Sequence, residues 1–155
     1  MSKINKKYKA KIYRDSWSID TAFYAWLLPR LKCYRDYTNG WPDQEYKTFD
    51  DFISDINEKI KWLEFLYKAT STRKDLAITK EEIDSLFNEE MIDKYYQGDW
   101  RYWLNKAPLH IKCGEYEKIY DEGESNYIWK QEILQNALSK AFGEWFGSHY
   151  FMLWW

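Results

Sequence analysis

Phe49, Ile53, Ile56, Ile60, Leu63 and Tyr67 recur at spacings of 4, 3, 4, 3 and 4, and this run constrains the chain more than any other. A strand would scatter the set over both of its faces, whereas a helix gathers it into one stripe. Thr48, with Asp51 three residues on, supplies a helix start. Trp62 and Leu66 widen the stripe, while Asp51, Asp55, Glu58, Lys59 and Lys61 lie off it. The pattern predicts an amphipathic helix over 49–67, and such a helix needs a second apolar surface to cover it.

Other segments offer that surface. In "DSWSIDTAFYAWLLPRLKCYRDYTNGWP", Ser18 or Asp20 can cap a helix whose Ala22, Phe23, Trp26, Leu27, Leu31 and Tyr34 fall at helical spacing. Pro29 lies inside it and should kink it near Ala25 and Trp26, because proline lacks a donor and crowds the carbonyl four residues back. Thr79 and Glu82 form a capping box ahead of a third helix, with Ile83, Leu86, Phe87, Met91 and Tyr95 on its face. Gly98 interrupts, and 99–108 reads as an aromatic elbow ending at Pro108. From about Ser125 a long last helix is expected, with Ile128, Leu134, Ala137, Leu138, Ala141, Phe142 and Trp145 on one face. Short strands or a hairpin are expected near 7–14 and 109–121. The expected fold is mainly α: a single-domain helical bundle of about four helices over 1–155, with 1–14 as a basic N-terminal arm.

Composition sets the function classes. Rings make up 21% of the 155 residues, with ten Trp and fourteen Tyr, yet 31% are charged and mean hydropathy is -0.77. Apolar area is therefore carried by side chains that each bring a polar handle or a flat face, suited to cores, interfaces and flat ligands. A net charge of -2 argues against general nucleic-acid binding. Charge is nonetheless uneven: 1–14 holds six cations and no acid, whereas 43–58 and 80–93 are acidic. The plain reading is a basic arm and solvated helix faces. No run approaches the ~18 apolar residues of a membrane span, and no apolar stretch follows the basic start. The two cysteines, Cys33 and Cys113, stand apart in sequence, which fits a cytosolic chain with reduced, buried thiols.

Catalytic signatures are not found. His110 and His149 with the two cysteines lack the paired ligand spacing of structural zinc, so neither metal nor cofactor is expected. Nothing marks a nucleophile turn, a phosphate loop or a dinucleotide fingerprint. The most suggestive chemistry is aromatic plus cationic. Trp100, Arg101, Tyr102 and Trp103 adjoin one another with Lys106 close by, and Arg30 and Lys32 lie near Tyr34. Bases stack on such rings for ~1–3 kcal/mol each, and arginine adds phosphate or cation–π contacts. Trp100, Arg101, Tyr102, Trp103, Arg30 and Lys32 are thus the candidate ligand-binding residues. The plainer alternative makes Trp100 and Trp103 core residues with cations lying along them. Trp145, Phe146, Phe151, Leu153, Trp154 and Trp155 extend the last helix beyond its own stripe, and are expected either to close the core or to form an interface.

The stretch "WSIDTAFYAWLLPRLK" at 17–32, the turn "NGWP", the helix "FDDFISDINEKIKWLEFL" and the aromatic ending "LQNALSKAFGEWFGSHYFMLWW" together resemble a family of small helical proteins of tailed bacteriophages. The resemblance covers 16–66 and about 125–155, and leaves the middle, 69–124, unplaced. It implies an origin in a phage or prophage accessory gene, acting in the cytoplasm of a bacterial host cell, and it carries no activity.

Three functional expectations follow. The first is a non-enzymatic phage accessory protein that binds and neutralises a host defence factor. The second is a small-molecule binding module that sequesters a nucleotide signal. The third is an enzyme of unrecognised class using His110 or His149 with an acid. The expected partner is a host protein or a nucleotide-like small molecule, with neither a membrane nor general nucleic acid; a homo-oligomer is also considered.

Overall fold

The computed structural model describes residues 9, 11, 16, 18–73, 75–106 and 110–153. The described chain is mainly helical, with one small hairpin: α1 (Ile19–Tyr37), α2 (Phe49–Thr70), α3 (Lys80–Leu86), α4 (Glu89–Tyr95), α5 (Trp100–Asn105), β1 (His110–Cys113), β2 (Tyr116–Ile119), α6 (Glu122–His149) and a 3-10 turn at Tyr150–Met152. Contacts group the described residues into two compact units, one reaching to Arg73 and the other running from Asp75 to Leu153. The strand expected near 7–14 lies outside the described residues, apart from Lys9 and Lys11, which are helical and exposed.

In the first unit, α1 packs along α2. Three cross-links fix an antiparallel arrangement: Thr21 Oγ1 donates to Thr70 O at 2.9 Å, Lys32 pairs with Glu64 at 2.8 Å, and Arg35 Nη1 donates to Asn57 Oδ1 at 3.1 Å. Thr48 caps α2 by accepting from Asp51 N. The buried stripe of α2 is rotated from the expected one, with Phe52, Ile56, Ile60, Leu63 and Leu66 inside and Phe49, Ile53 and Tyr67 only half-buried. Phe52 moves inward because Tyr34 and Tyr46 pack on it, with ring centroids 6.3 and 5.1 Å away. On α1 the buried face is Tyr24, Leu27, Leu31 and Tyr34. Trp26 was expected inside and is 52% exposed. Ser18 sits at the N-cap without a side-chain bond, and the helix runs on through Pro29. Ala25 and Pro29 are both exposed, so the carbonyl that proline leaves without its helical donor faces water.

In the second unit, α6 is the scaffold against which α3, α4 and α5 pack. Ile92, Trp100, Ile133 and Ala137 form its buried cluster, with Phe87, Met91, Tyr95, Tyr96, Trp103, Leu104 and Trp129 packed around them. The single helix expected over 80–95 is two helices. Asn88 breaks it by accepting from Met91 N at 3.0 Å, which starts α4 as a new helix. Thr79, Asp99 and Asp121 cap α3, α5 and α6 in the same way, each such cap being worth about 0.5–2 kcal/mol. Gly98, at φ 127°, makes the turn into α5. The hairpin expected within 109–121 is present, with Cys113 opposite Tyr116 and His110 opposite Ile119. Gly114 at φ 60° takes the first turn position, where a two-residue hairpin favours glycine.

Candidate functional site

The six candidate ligand residues divide between the units: Arg30 and Lys32 belong to the first, the α5 residues to the second. In α5, Asp99 caps the helix by accepting from Tyr102 N, which sets the helical phase. Trp100 therefore turns inward and is 5% exposed, while Tyr102 turns outward and is 55% exposed.

Trp100 is held on three sides. Its Nε1 donates to Asp93 Oδ1 at 2.7 Å, Phe87 meets its ring edge-on with centroids 5.5 Å apart, and the Arg101 guanidinium lies 4.1 Å over its face. Arg101 itself grips Asp93 with two bonds, at 3.0 and 3.2 Å, and reaches Glu89 at 3.7 Å. Hydrogen bonds from Arg101 first, then Trp100, hold the Asp93 carboxyl below its ordinary range, and Asp93 in turn raises the Arg101 guanidinium. The strongest cation and the deepest ring of the cluster are thus already engaged with each other and with one carboxylate. Asp93 was not legible as their partner: it lies seven residues before Trp100, across the turn between α4 and α5, where helical spacing says nothing.

The outer part of the cluster is more open. Trp103 is half-buried and packs on Trp129 at 4.9 Å, Tyr102 meets it edge-on at 5.2 Å, and Lys106 Nζ lies 5.0 Å from the Trp103 ring. Trp129 Nε1 is buried and has no hydrogen-bond partner, a cost of about 1–3 kcal/mol for a neutral donor. Nearby in the fold, Asp84 accepts from Tyr127 Oη at 2.7 Å and from Lys130 Nζ at 3.2 Å. The Tyr127 bond is the main reason that Asp84 is lowered, and the same bond raises the Tyr127 phenol. Carboxylates held ionised in this way are poor proton donors near neutral pH.

On α1, Arg30 is exposed; its guanidinium lies 4.5 Å over the Trp26 ring, and Nη1 donates to Trp26 O at 2.7 Å. Lys32 is ion-paired to Glu64. Of the aromatic ending, Trp145 is buried and stacks on His149, with centroids 5.1 Å apart and planes 13° apart. Phe146 and Leu153 are half-buried, while Tyr150 and Phe151 are exposed. Trp154 and Trp155 lie outside the described residues. His110 faces Glu117 across the hairpin at 2.5 Å, and His149 Nδ1 contacts Trp145 O at 2.8 Å. Both cysteines are free and exposed rather than buried: Cys33 sits on the outer side of α1, and Cys113 on a hairpin whose strand residues are all exposed. Among the described residues, no three His, Cys, Asp or Glu side chains gather as metal ligands, and no helix is long and apolar enough to cross a membrane.

Comparison with known protein families, curated proteins and solved structures gave no match to this chain.

Proposed function

We propose that this chain is a non-enzymatic accessory protein of phage type that binds a bacterial host protein and neutralises it, a defence factor being the target class. The observation that supports this reading is the sorting of the aromatics. Trp100 and Arg101, the best-formed ligand platform in the sequence, satisfy each other and Asp93. Tyr102, Tyr150 and Phe151 touch neighbouring rings along one edge and stand more than half exposed. Exposed aromatic side chains are the common anchors of protein interfaces, because they bury much area while losing few rotamers.

The test is capture of bacterial proteins on the tagged full chain, compared with its Tyr150→Ala/Phe151→Ala variant. The expected result is one host protein retained in fixed stoichiometry, with retention cut at least about tenfold in the variant. Retention unaffected by the double substitution would overturn the assignment of this surface. Failure to retain any stoichiometric host protein would overturn the function.

A second reading rests on the outer α5 cluster, where Tyr102, Trp103 and Lys106 could take a nucleotide base and its phosphate. A panel of linear and cyclic nucleotides that raised the thermal midpoint of wild type, but not of Tyr102→Ala/Lys106→Ala, would favour it over the first.

A further inference from the structure

The loop between α1 and α2 carries the one Asn–Gly pair of the sequence, Asn39–Gly40. Both ends of this loop are pinned. Thr38 N–H donates to Tyr34 O at 2.9 Å, which closes α1, and the Glu45 and Tyr46 N–H groups both donate to Pro42 O at 3.1 Å. Asn39 and Gly40 lie between these anchors, exposed and outside any helix, strand or turn. Gly40 O accepts from the Thr38 hydroxyl at 3.2 Å. Among the described residues, neither the Asn39 carboxamide nor the Gly40 N–H has a hydrogen-bond partner.

An asparagine carboxamide is open to attack by the backbone nitrogen of the residue that follows it. That nitrogen must lose its proton and reach the side-chain carbon, so a hydrogen bond on the N–H, or one that holds the carboxamide elsewhere, blocks the reaction. A side chain on the following residue crowds the approach, which glycine avoids. The other described asparagines fail these conditions. Asn57 accepts from Arg35 at 3.1 Å and Asn88 from Met91 N at 3.0 Å, while Asn105 donates to Arg101 O at 2.9 Å and Asn126 to Leu104 O at 3.2 Å. Asn136 lies within α6, where the next N–H is held in the helical ladder. None of these five precedes a glycine. Asn39 meets every condition.

We infer that Asn39 is a self-modification site, which deamidates in the folded protein through a cyclic imide formed with Gly40. The Gly40 nitrogen, its proton given up to solvent, bonds to Asn39 Cγ. The bond from Cγ to the side-chain nitrogen breaks, and that nitrogen takes up a proton from solvent and leaves as ammonia. Water then opens the imide at either carbonyl. One opening leaves aspartate at position 39, and the other leaves isoaspartate, whose main chain runs through the former side chain and is longer by one methylene. One water is consumed and one ammonia released, with no change of oxidation state. Both products add a negative charge to a loop that already holds Asp43 and Glu45. Isoaspartate also lengthens the connection from α1 to α2 within a span anchored at Thr38 and Pro42. The site is independent of the host-binding surface proposed above.

Incubation of the intact protein in mildly alkaline buffer, followed by ion exchange and peptide mass spectrometry, tests the assignment. The peptide holding residue 39 is expected to gain one mass unit and one negative charge, with isoaspartate and aspartate both present. Peptides holding the other five asparagines are expected to stay unchanged over the same period. Gly40 lies outside the left-handed region, and a Cβ added there would meet nothing within 4 Å. Gly40→Ala is therefore expected to keep its helical circular dichroism, yet to react at least about tenfold more slowly, because the new methyl crowds the attacking nitrogen. The wild-type rate is expected to rise with pH, since the nitrogen attacks only after losing its proton. A residue 39 that stays unmodified, a Gly40→Ala variant that reacts as fast as wild type, or a rate indifferent to pH would each overturn the proposal.

Discussion

Replacing Trp100 by alanine tests whether the aromatic cluster of α5 is core or ligand platform. The ring is 5% exposed, sits among Ile92, Ile133 and Ala137, and places its only polar atom on Asp93 at 2.7 Å. Truncating a buried tryptophan of this kind costs about 3–5 kcal/mol, as the lost transfer energy and the cavity add together. For a chain of 155 residues, each kcal/mol moves the thermal midpoint by about 2–4 °C, so the expected drop is about 6–20 °C. Trp100→Phe keeps most of the ring and removes the donor along with its bond to Asp93, for a smaller cost of about 1–3 kcal/mol; this milder variant should remain folded. Tyr102, two residues on and 55% exposed, supplies the control, because Tyr102→Ala should stay within about 0.5 kcal/mol of wild type. Urea titration followed by far-UV circular dichroism and by tryptophan fluorescence gives all three numbers. The reasoning is refuted if Trp100→Ala stays within about 1 kcal/mol of wild type, or if Tyr102→Ala costs as much. A platform kept open for a ligand would show the first result, since its ring would be spare in the free protein.

Three further outcomes follow from the geometry. Asp84 and Asp93 both titrate below the ordinary 3.8 when folded, so as pH falls the unfolded chain takes up their protons first. Their stabilisation is full above about pH 5 and is lost as pH drops through the lowered folded values; the midpoint difference between wild type and Asp84→Asn/Asp93→Asn should shrink on acidification, and a constant difference from pH 7 down to about pH 2 would contradict it. In the first unit, Asp55 accepts from Tyr46 Oη at 2.5 Å and from the buried Lys59 ammonium at 2.8 Å, and Glu58 also reaches Lys59 at 2.9 Å. Asp55→Ala should cost about 2–4 kcal/mol in urea titration, with Glu58 keeping the loss below that of a fully orphaned charge, while Lys59→Met should stay within about 1 kcal/mol. Gly114→Val places a β-branched side chain at φ 60°, a strain of roughly 1–2 kcal/mol; because every strand residue of the hairpin is exposed, amide protection should fall in β1 and β2 while the helices keep theirs.

The long helices were legible because their signals are local and repeated. Thr48 and Thr79 announced two helix starts, and the α6 residues from Leu134 to Trp145 named as one face are buried together. The hairpin was legible from the loss of helical pattern over 109–121. Errors arose where one residue type fits two roles. Asn88 falls inside the single helix that the Ile83–Tyr95 face implies, yet its side chain starts a new helix. Trp26 was counted with Leu27 and Leu31 because tryptophan is apolar by composition, but it lies toward the opposite edge of that arc and α2 does not cover it. Phe52 was missed because the 4-3 count started at Phe49, and the partners that draw it inward, Tyr34 and Tyr46, are distant in sequence. The α5 residues were found as a group, but the decision between core and site lay with Asp93, which no spacing rule connects to Trp100.

What separates buried from exposed rings in this chain is where their polar handles find partners. Trp100 goes inside with a carboxylate fixed on its indole nitrogen, whereas Trp26 lies half outside with its own Arg30 on its face. A chain this rich in tryptophan and tyrosine cannot match every handle with an internal acceptor, and Trp129 Nε1 is one that goes unmatched even when buried. Rings beyond that supply are better left at the surface, where water satisfies the handle until another surface covers the face. Covering a face and keeping a handle wet is a requirement that protein interfaces meet with a dry centre and a polar rim. On this argument the exposed rings of α1 and of the Tyr150–Phe151 turn are the ones that a partner would cover under the proposed function. The acidic stretches of α2, α3 and α4 act with them, since charge on the remaining faces keeps a chain with so many exposed rings from associating everywhere at once.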